Sequence, residues 1–351
     1  MEPLVYTPRI YTEGAPLPAE EIRADLRTRG VCVVTLYAED DPRAAAYEAG
    51  LDAAAASLRP DGGTAHGARG MGGITKTYGA GCHPGSARVR TDPRARAVRA
   101  AIYGLEPNDV FASWDAVAVL GTDAIRKKPA RRALAHEYDE KAYFALTGGT
   151  LQAHVDVGAA SPGAAMEARM RAVHPDFAAC VQSQFVCKTV PRGGATLVVS
   201  PGPHYAAPPA PGLFEAAAGR DFCPATPAGY RAYAGTWRAV EVPRGSLVLW
   251  LSRTPHGNKL ADVGVDPERR AVYIAWQARA LVGDYEGEDA LRALKRRKLD
   301  AVYAGGTTDH WATHVPKVHR GSHYSNGKGV TQVLPPPEYD AALAAAIDAA
   351  F

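Results

Sequence analysis

Short apolar or alternating runs, broken by Gly and Pro, fill residues 148–280 and give that stretch the grammar of an all-β unit. Strands are predicted at 150–157, 180–190, 195–200, 230–242, 246–252 and 271–280, with the Pro-rich 201–211 as a loop. Several short strands with turns between them predict a sandwich or a jelly roll. Residues 1–145 are mixed. Pro18 to Arg29 reads as a helix, with Ile22 and Leu26 four apart and Gly30 as its stop. Residues 31–37 read as a strand. Asp92-Pro93 is an N-cap and N1 pair that opens a helix to about Tyr103, and 111–120 reads as a further strand. From Gly287 the chain turns helical and basic. Lys295-Arg296-Arg297-Lys298 is expected to be a solvated helix face. After Ala304, the stretch holding His310, Trp311, His314, His319 and His323 is too irregular for a metal site and reads as a wrapping extension pinned by Trp311.

Composition narrows the class without deciding it. The 351 residues, 46% hydrophobic and 22% charged, suit a globular protein with a sizeable core. A net charge of +3 is too small to imply nucleic acid. Five Cys, an odd number without C-x-x-C spacing, suggest neither a disulfide framework nor a zinc ribbon. The first residues lack a basic region followed by an apolar run, and no stretch approaches the ~20 apolar residues that span a bilayer. The expectation is a soluble, intracellular protein, cytoplasmic or nuclear, with five reduced thiols.

Candidate chemistry changes the picture more. His154-Val-Asp156 lies on one predicted strand, where alternation gives the two ligand types the same face. His256 follows the predicted 246–252 strand. Two imidazoles and one carboxylate form the facial triad that holds non-haem Fe(II) with positions open for substrate and O₂. The Gly-rich stretch 62–85 contains Lys76-Thr77-Tyr78-Gly79 but lacks the Gly-Lys-Ser/Thr ending of a phosphate loop, so nucleotide binding there is rejected. It reads instead as a loop near the site, with Lys76 and Tyr78 placed to close over it.

Taken in order, His154-Val-Asp156, Val181-Gln182-Ser183, the run from Gly193-Gly194 to Pro201-Gly202-Pro203-His204, and Ser252-Arg253-Thr254-Pro255-His256-Gly257 resemble the Fe(II)/2-oxoglutarate-dependent oxygenases. More narrowly, the chain is similar to their phytanoyl-CoA dioxygenase-like branch. The match covers roughly residues 148–280, and His204 belongs to the corner motif, not to the triad. Pro203 stands where the family has Ser, and Val157 where relatives often have a polar residue. The resemblance implies a mainly β fold with flanking helices, a double-stranded β-helix (a cupin-like jelly roll). It implies Fe(II), with 2-oxoglutarate as co-substrate and O₂, in oxidative decarboxylation coupled to hydroxylation. The division expected is an α/β portion over 1–145, the catalytic core over 146–282 and a helical, irregular extension over 283–351, together one integrated domain.

The distal carboxylate of 2-oxoglutarate needs a buried cation, and the guanidinium fork suits it. In the family this Arg begins the strand after the distal His, here Arg269-Arg270-Ala271-Val272-Tyr273-Ile274-Ala275-Trp276-Gln277. Arg270 shares parity with Val272, Ile274 and Trp276, which look helix-packed. Arg269 shares it with Ala271, Tyr273, Ala275 and Gln277, which look interior. Parity favours Arg269 as the anchor, with Arg270 the alternative and otherwise a surface charge. Gln182 or Gln184 is placed to hydrogen-bond co-substrate or substrate, and Trp114 and Asp115 to line the substrate side. The expected substrate is a small molecule. The alternatives are a nucleic-acid base or protein side chain, motivated by residues 295–298, and an inactive jelly-roll binding protein.

Overall fold

The computed structural model describes residues 1–57, 74–75, 80–120, 153–157, 161–215, 222–262, 264–281, 287–306, 312 and 337–351. Among the described residues, thirteen strands form two open sheets with helices against them. The larger runs β1 (Arg9–Ile10), β2 (Val31–Thr35), β11 (Ser246–Leu251), β7 (Val181–Val186), β13 (Arg269–Ala278), β5 (Val117–Leu120) and β3 (Ile74–Thr75), with β4 (Val110–Ala112) also on β13. The smaller runs β10 (Arg238–Ala239), β8 (Thr196–Val199), β12 (His256–Lys259), β6 (His154–Val155) and β9 (Cys223–Pro224). Among the described strand pairs, β1 and β2 are the parallel one. Strands from the first 120 residues thus share a sheet with β7, β11 and β13.

Alternation assigns the two faces of the large sheet. Cys32, Val34, Phe185, Leu247, Leu249, Val272, Ile274 and Trp276 share a core with Ile22 and Leu26 of α1 (Ala19–Arg29), Leu51 of α2 (Pro42–Ser57) and Val98 and Ile102 of α4 (Pro93–Tyr103). Val31, Val33, Val186, Val248, Trp250, Ala271 and Tyr273 face the other way, with Leu197 and Val199 of the small sheet. The parity expected for β13 is therefore the observed one. A third cluster joins Phe111 and Trp114 to Leu294 and Val302 of α7 (Glu288–Tyr303) and to Leu343, Ile347 and Phe351, in and just beyond α8 (Ala341–Ala349).

Helix α1 ends at Gly30, whose φ of 68° is left-handed and whose N–H closes on the Leu26 carbonyl. Asp92 caps α4 through Ala95 N–H at 2.7 Å. Four expectations need correction. Residues 230–242 hold the end of the short helix α6 (Pro227–Ala232), capped by Thr226 on Gly229 N–H, and only β10 as strand. The Thr-Pro pair was the overlooked signal. Ser161-Pro162 likewise opens α5 (Pro162–Val173) inside the stretch read as all-β. The strand expected at 111–120 is broken over 113–116. There the buried Arg90 of α3 (Pro84–Arg90) donates to the carbonyls of Ser113, Asp115 and Ala116, and to those of Gly81 and Tyr273. Burial lowers this guanidinium to about 10. Finally, residues 295–298 are not one solvated face. Lys298 is fully buried with its Nζ 5.6 Å from the Phe351 ring centroid, and Lys295 donates to the Asp348 carbonyl at 3.1 Å. Residues 150–152, and His310, Trp311, His314, His319 and His323, lie outside the described residues.

Candidate metal centre

His154 and His256 are cross-strand partners on β6 and β12, so one antiparallel register brings the two imidazoles together, with ring centroids 4.2 Å apart. Asp156 sits in the bend after β6, and its N–H donates to the Ser252 carbonyl at 2.8 Å. Ser252 opens the turn that carries the chain from β11 in the large sheet to β12 in the small one. One ligand's backbone thus clasps the turn that delivers another. Asp156 Oδ2 is 3.2 Å from His256 Nε2, and Asp156 Oδ1 is 3.9 Å from His154 Nε2. One ligand atom from each residue lies within 4.8 Å of the others, and this is the group of three among the described residues with that geometry. The side chains of His154, Asp156 and His256 are 12%, 8% and 5% exposed. Phe222, half-exposed, packs on the His154 ring at 4.4 Å.

Hydrogen bonds outside the triad prepare it for a cation. His256 Nδ1 lies 2.8 Å from the Thr254 carbonyl, which only accepts, so Nδ1 carries the proton and Nε2 keeps its lone pair for a metal. Thr254 is tied to Gly30, whose carbonyl accepts from Thr254 Oγ1 at 2.8 Å. A Cβ on Gly30 would collide with that hydroxyl. Gln182 Nε2 donates to Asp156 Oδ2 at 2.6 Å and to Ser252 Oγ at 3.1 Å. Two imidazoles and a carboxylate, with the His256 ring oriented by the Thr254 carbonyl, fit a borderline divalent ion such as Fe(II).

Deeper between the sheets, Arg269 donates to Asn258 Oδ1 at 2.7 Å, Gln184 Oε1 at 2.8 Å and Tyr273 Oη at 2.6 Å. Tyr273 Oη in turn donates to Asn258 Oδ1 at 2.7 Å. Burial pushes the Tyr273 phenol up, opposed by the guanidinium beside it. Asn258, Gln184 and Tyr273 thus hold the Arg269 guanidinium between the two sheets. Arg270 points the opposite way. Its Nε donates to Asp52 of α2 at 2.7 Å, and its side chain is only 7% exposed. The expectation that the second Arg is a surface charge is corrected: it pins a helix to the sheet.

The other sequence-predicted residues divide. Gln182 comes to the triad and Gln184 to Arg269. Trp114 is fully buried, 5.7 Å from the Phe351 ring, in the cluster under α7 and α8. Asp115 is 6% exposed, in the β4–β5 break that Arg90 ties down. Lys76 and Tyr78 lie outside the described residues. His204 is apart from the triad, in its corner, with Nε2 3.0 Å from the Ser200 carbonyl and its imidazole lowered by burial. Sequence reasoning missed Asn258 and Tyr273, although the first shares parity with His256 and the second with Arg269. It also missed the buried Glu167, paired with Arg253 in the turn before His256 and raised by burial. Nothing in their spacing marks those two as partners.

No family model and no curated protein matches the chain. Solved structures do. A putative oxidoreductase from Salmonella typhimurium LT2 aligns with TM-score 0.53 and 12% identity, over 91% of this chain and 84% of that one. The hypothetical protein JW0805 from Escherichia coli aligns with TM-score 0.50 and 12% identity, over 87% and 78%. SnoK, a non-heme alpha ketoglutarate dependent carbocyclase from nogalamycin biosynthesis, is also among the neighbours, with TM-score 0.46 and 16% identity over 76% and 88%. At such identities the likeness is one of fold.

Proposed function

We propose that this protein is an Fe(II)- and 2-oxoglutarate-dependent dioxygenase, similar to the phytanoyl-CoA dioxygenase-like branch, that hydroxylates a C–H bond of a small molecule. The observation that carries the reading is the convergence of His154, Asp156 and His256, with His256 Nδ1 on the Thr254 carbonyl and Nε2 turned toward Asp156. The two facing sheets are read as a double-stranded β-helix. The portions 1–145, 146–282 and 283–351 are read as one integrated domain, because β1 to β5 pair into the sheet of β7, β11 and β13.

His154, Asp156 and His256 would hold the metal. Bound there, Fe(II) supplies the redox chemistry that couples decarboxylation of 2-oxoglutarate by O₂, yielding succinate and CO₂, to hydroxylation of the substrate. The chain's own share is binding and exclusion of water. Arg269 is the anchor for the distal carboxylate of 2-oxoglutarate, which its guanidinium would meet through a charge-assisted hydrogen bond. Gln184, Asn258 and Tyr273 keep the guanidinium in one orientation. Trp250 and Tyr273 stand 6.2 Å apart, edge to face, beside the guanidinium. Lys76, Tyr78, Trp114 and Asp115 are kept as substrate-side proposals. A nucleic-acid substrate loses its main motive, because two of the four basic residues at 295–298 are engaged within the fold.

The test is Fe(II)-loaded protein incubated with 2-oxoglutarate, O₂ and pools of small molecules, following succinate by mass spectrometry. Substrate-stimulated succinate that His256→Ala abolishes is expected. Succinate formation unaffected by loss of His256 would contradict the reading.

A further inference from the structure

We infer that Gln182 is the positioning residue for the Asp156 carboxylate, and not a contact for co-substrate or substrate. The proposal rests on the metal reading above and concerns how the carboxylate meets the ion. Gln182 lies on β7, hydrogen-bonded on both sides, in register with Trp250 of β11 and Ala275 of β13. Its backbone is thus among the most firmly held in the sheet. Its residue is 9% exposed, and its amide nitrogen serves two acceptors, Asp156 Oδ2 at 2.6 Å and Ser252 Oγ at 3.1 Å. A carboxylate only accepts, which fixes the amide with its NH₂ toward the triad and its carbonyl away from it.

Two consequences follow for Asp156. Rotation of the carboxylate is locked, because Oδ2 is held by the amide and the residue's own N–H is held by the Ser252 carbonyl. Electron density on Oδ2 is also shared with a charge-assisted hydrogen bond, which disfavours simultaneous use of both oxygens on one ion. Gln182 therefore keeps Asp156 a one-oxygen ligand and preserves an open coordination position. Ser252 completes the arrangement. Its Oγ orients the amide while its carbonyl holds the Asp156 backbone, so a single turn residue steadies both ends. Groups of this kind around metal ligands typically matter 10–100-fold in affinity, on the order of the ligands' own geometric demands.

The experiment uses full-length protein and Co(II) as the probe, read by titration and by its visible d–d absorption under inert atmosphere. Wild type is expected to take one Co(II) per chain. Gln182→Met keeps side-chain volume and loses the donor. It should lower the thermal unfolding midpoint only by the loss of these buried hydrogen bonds, and the folded protein should show a Co(II) Kd raised by roughly 10–100-fold and d–d bands of changed intensity as the carboxylate changes its mode of binding. Ser252→Ala leaves Gln182 in place without its orienting acceptor and should raise the Kd by about threefold, the worth of one modest hydrogen bond. A Gln182→Met protein with wild-type Kd and wild-type spectrum would overturn the proposal while leaving the metal reading intact. If that variant does not fold, an unchanged Kd and spectrum in Ser252→Ala overturns it. Wild type that binds no Co(II) would overturn both.

Discussion

The two faces of the large sheet differ more than any two elements of the molecule. Toward the helices, β7, β11 and β13 present Phe185, Leu247, Leu249, Val272, Ile274 and Trp276, an apolar surface pinned at one end by the Arg270–Asp52 pair. Toward the small sheet, the alternate positions of the same strands present Gln182, Gln184, Arg269 and Tyr273 among aromatic and aliphatic walls. Burying that many polar groups costs free energy unless each is hydrogen-bonded, and here Gln182, Gln184, Arg269, Tyr273 and Asn258 are. A face built only for stability would have kept hydrocarbon. The contrast teaches that one strand with a period of two can carry packing on one side and chemistry on the other, with Arg269 and Arg270 as adjacent representatives of the two.

The sharpest way to break the comparison is to damage each face and ask which property fails. Trp276 is 1% exposed and stacks under the Arg99 guanidinium at 3.7 Å. Trp276→Ala should lower unfolding free energy by about 3–5 kcal/mol, measured by urea denaturation, because it leaves a cavity in the helix-packed core. It should leave metal affinity per folded molecule unchanged. His256→Ala should do the reverse, abolishing metal uptake while the unfolding midpoint in the absence of metal moves little. If both variants lose stability equally, the division of labour is wrong.

Gly30 joins the two regions, since it ends α1 on the helix side and holds Thr254 on the metal side. Gly30→Ala places a Cβ against Thr254 Oγ1 at a left-handed φ, a conformation costing about 1–2 kcal/mol for an L-residue before the collision is counted. A fall in the unfolding midpoint together with weaker metal binding is expected. Weaker stability with metal affinity intact would mean that Thr254 does not position His256.

The smallest effect concerns the thiols. All five Cys are buried as thiols outside any disulfide, and burial pushes Cys82 up to about 12, far from the thiolate form that reacts. An aromatic disulfide reagent should titrate five thiols in denaturant and almost none, on the scale of minutes, in the native protein at neutral pH. A denatured count of three or one would reveal disulfides.

Much of this was legible in the chain. Period-two alternation along β13 separated Arg269 from Arg270, because a strand buried on both faces still sorts small and polar side chains from bulky ones. Asp92-Pro93 and Gly30 marked helix ends through local backbone chemistry. The ligand triad was legible as a motif, but its assembly depends on the β6–β12 register, which joins residues a hundred apart. What escaped lay in long-range partnerships. Lys298 looked solvated within its charge run because the Phe351 ring that covers it is distant in sequence. Arg270 looked superficial because Asp52, from another helix, does not announce its partner. Residues 230–242 were misread where apolar content outweighed the Thr226-Pro227 cap.

The central claim is that the interior face binds 2-oxoglutarate through Arg269 at a metal held by the triad. It is tested most directly by titrating 2-oxoglutarate into anaerobic Fe(II)-loaded wild type, Arg269→Ala and Arg270→Ala, and following the metal-to-ligand charge-transfer band. Loss of a charge-assisted fork to a buried anion costs on the order of 2–5 kcal/mol, so Arg269→Ala should raise the Kd by roughly 30-fold or more. Arg270→Ala should change it by less than about threefold, and its loss of the Asp52 pair should appear in the unfolding midpoint instead. The opposite order of effects on Kd would move the anchor to Arg270, and a Kd indifferent to both substitutions would contradict the account.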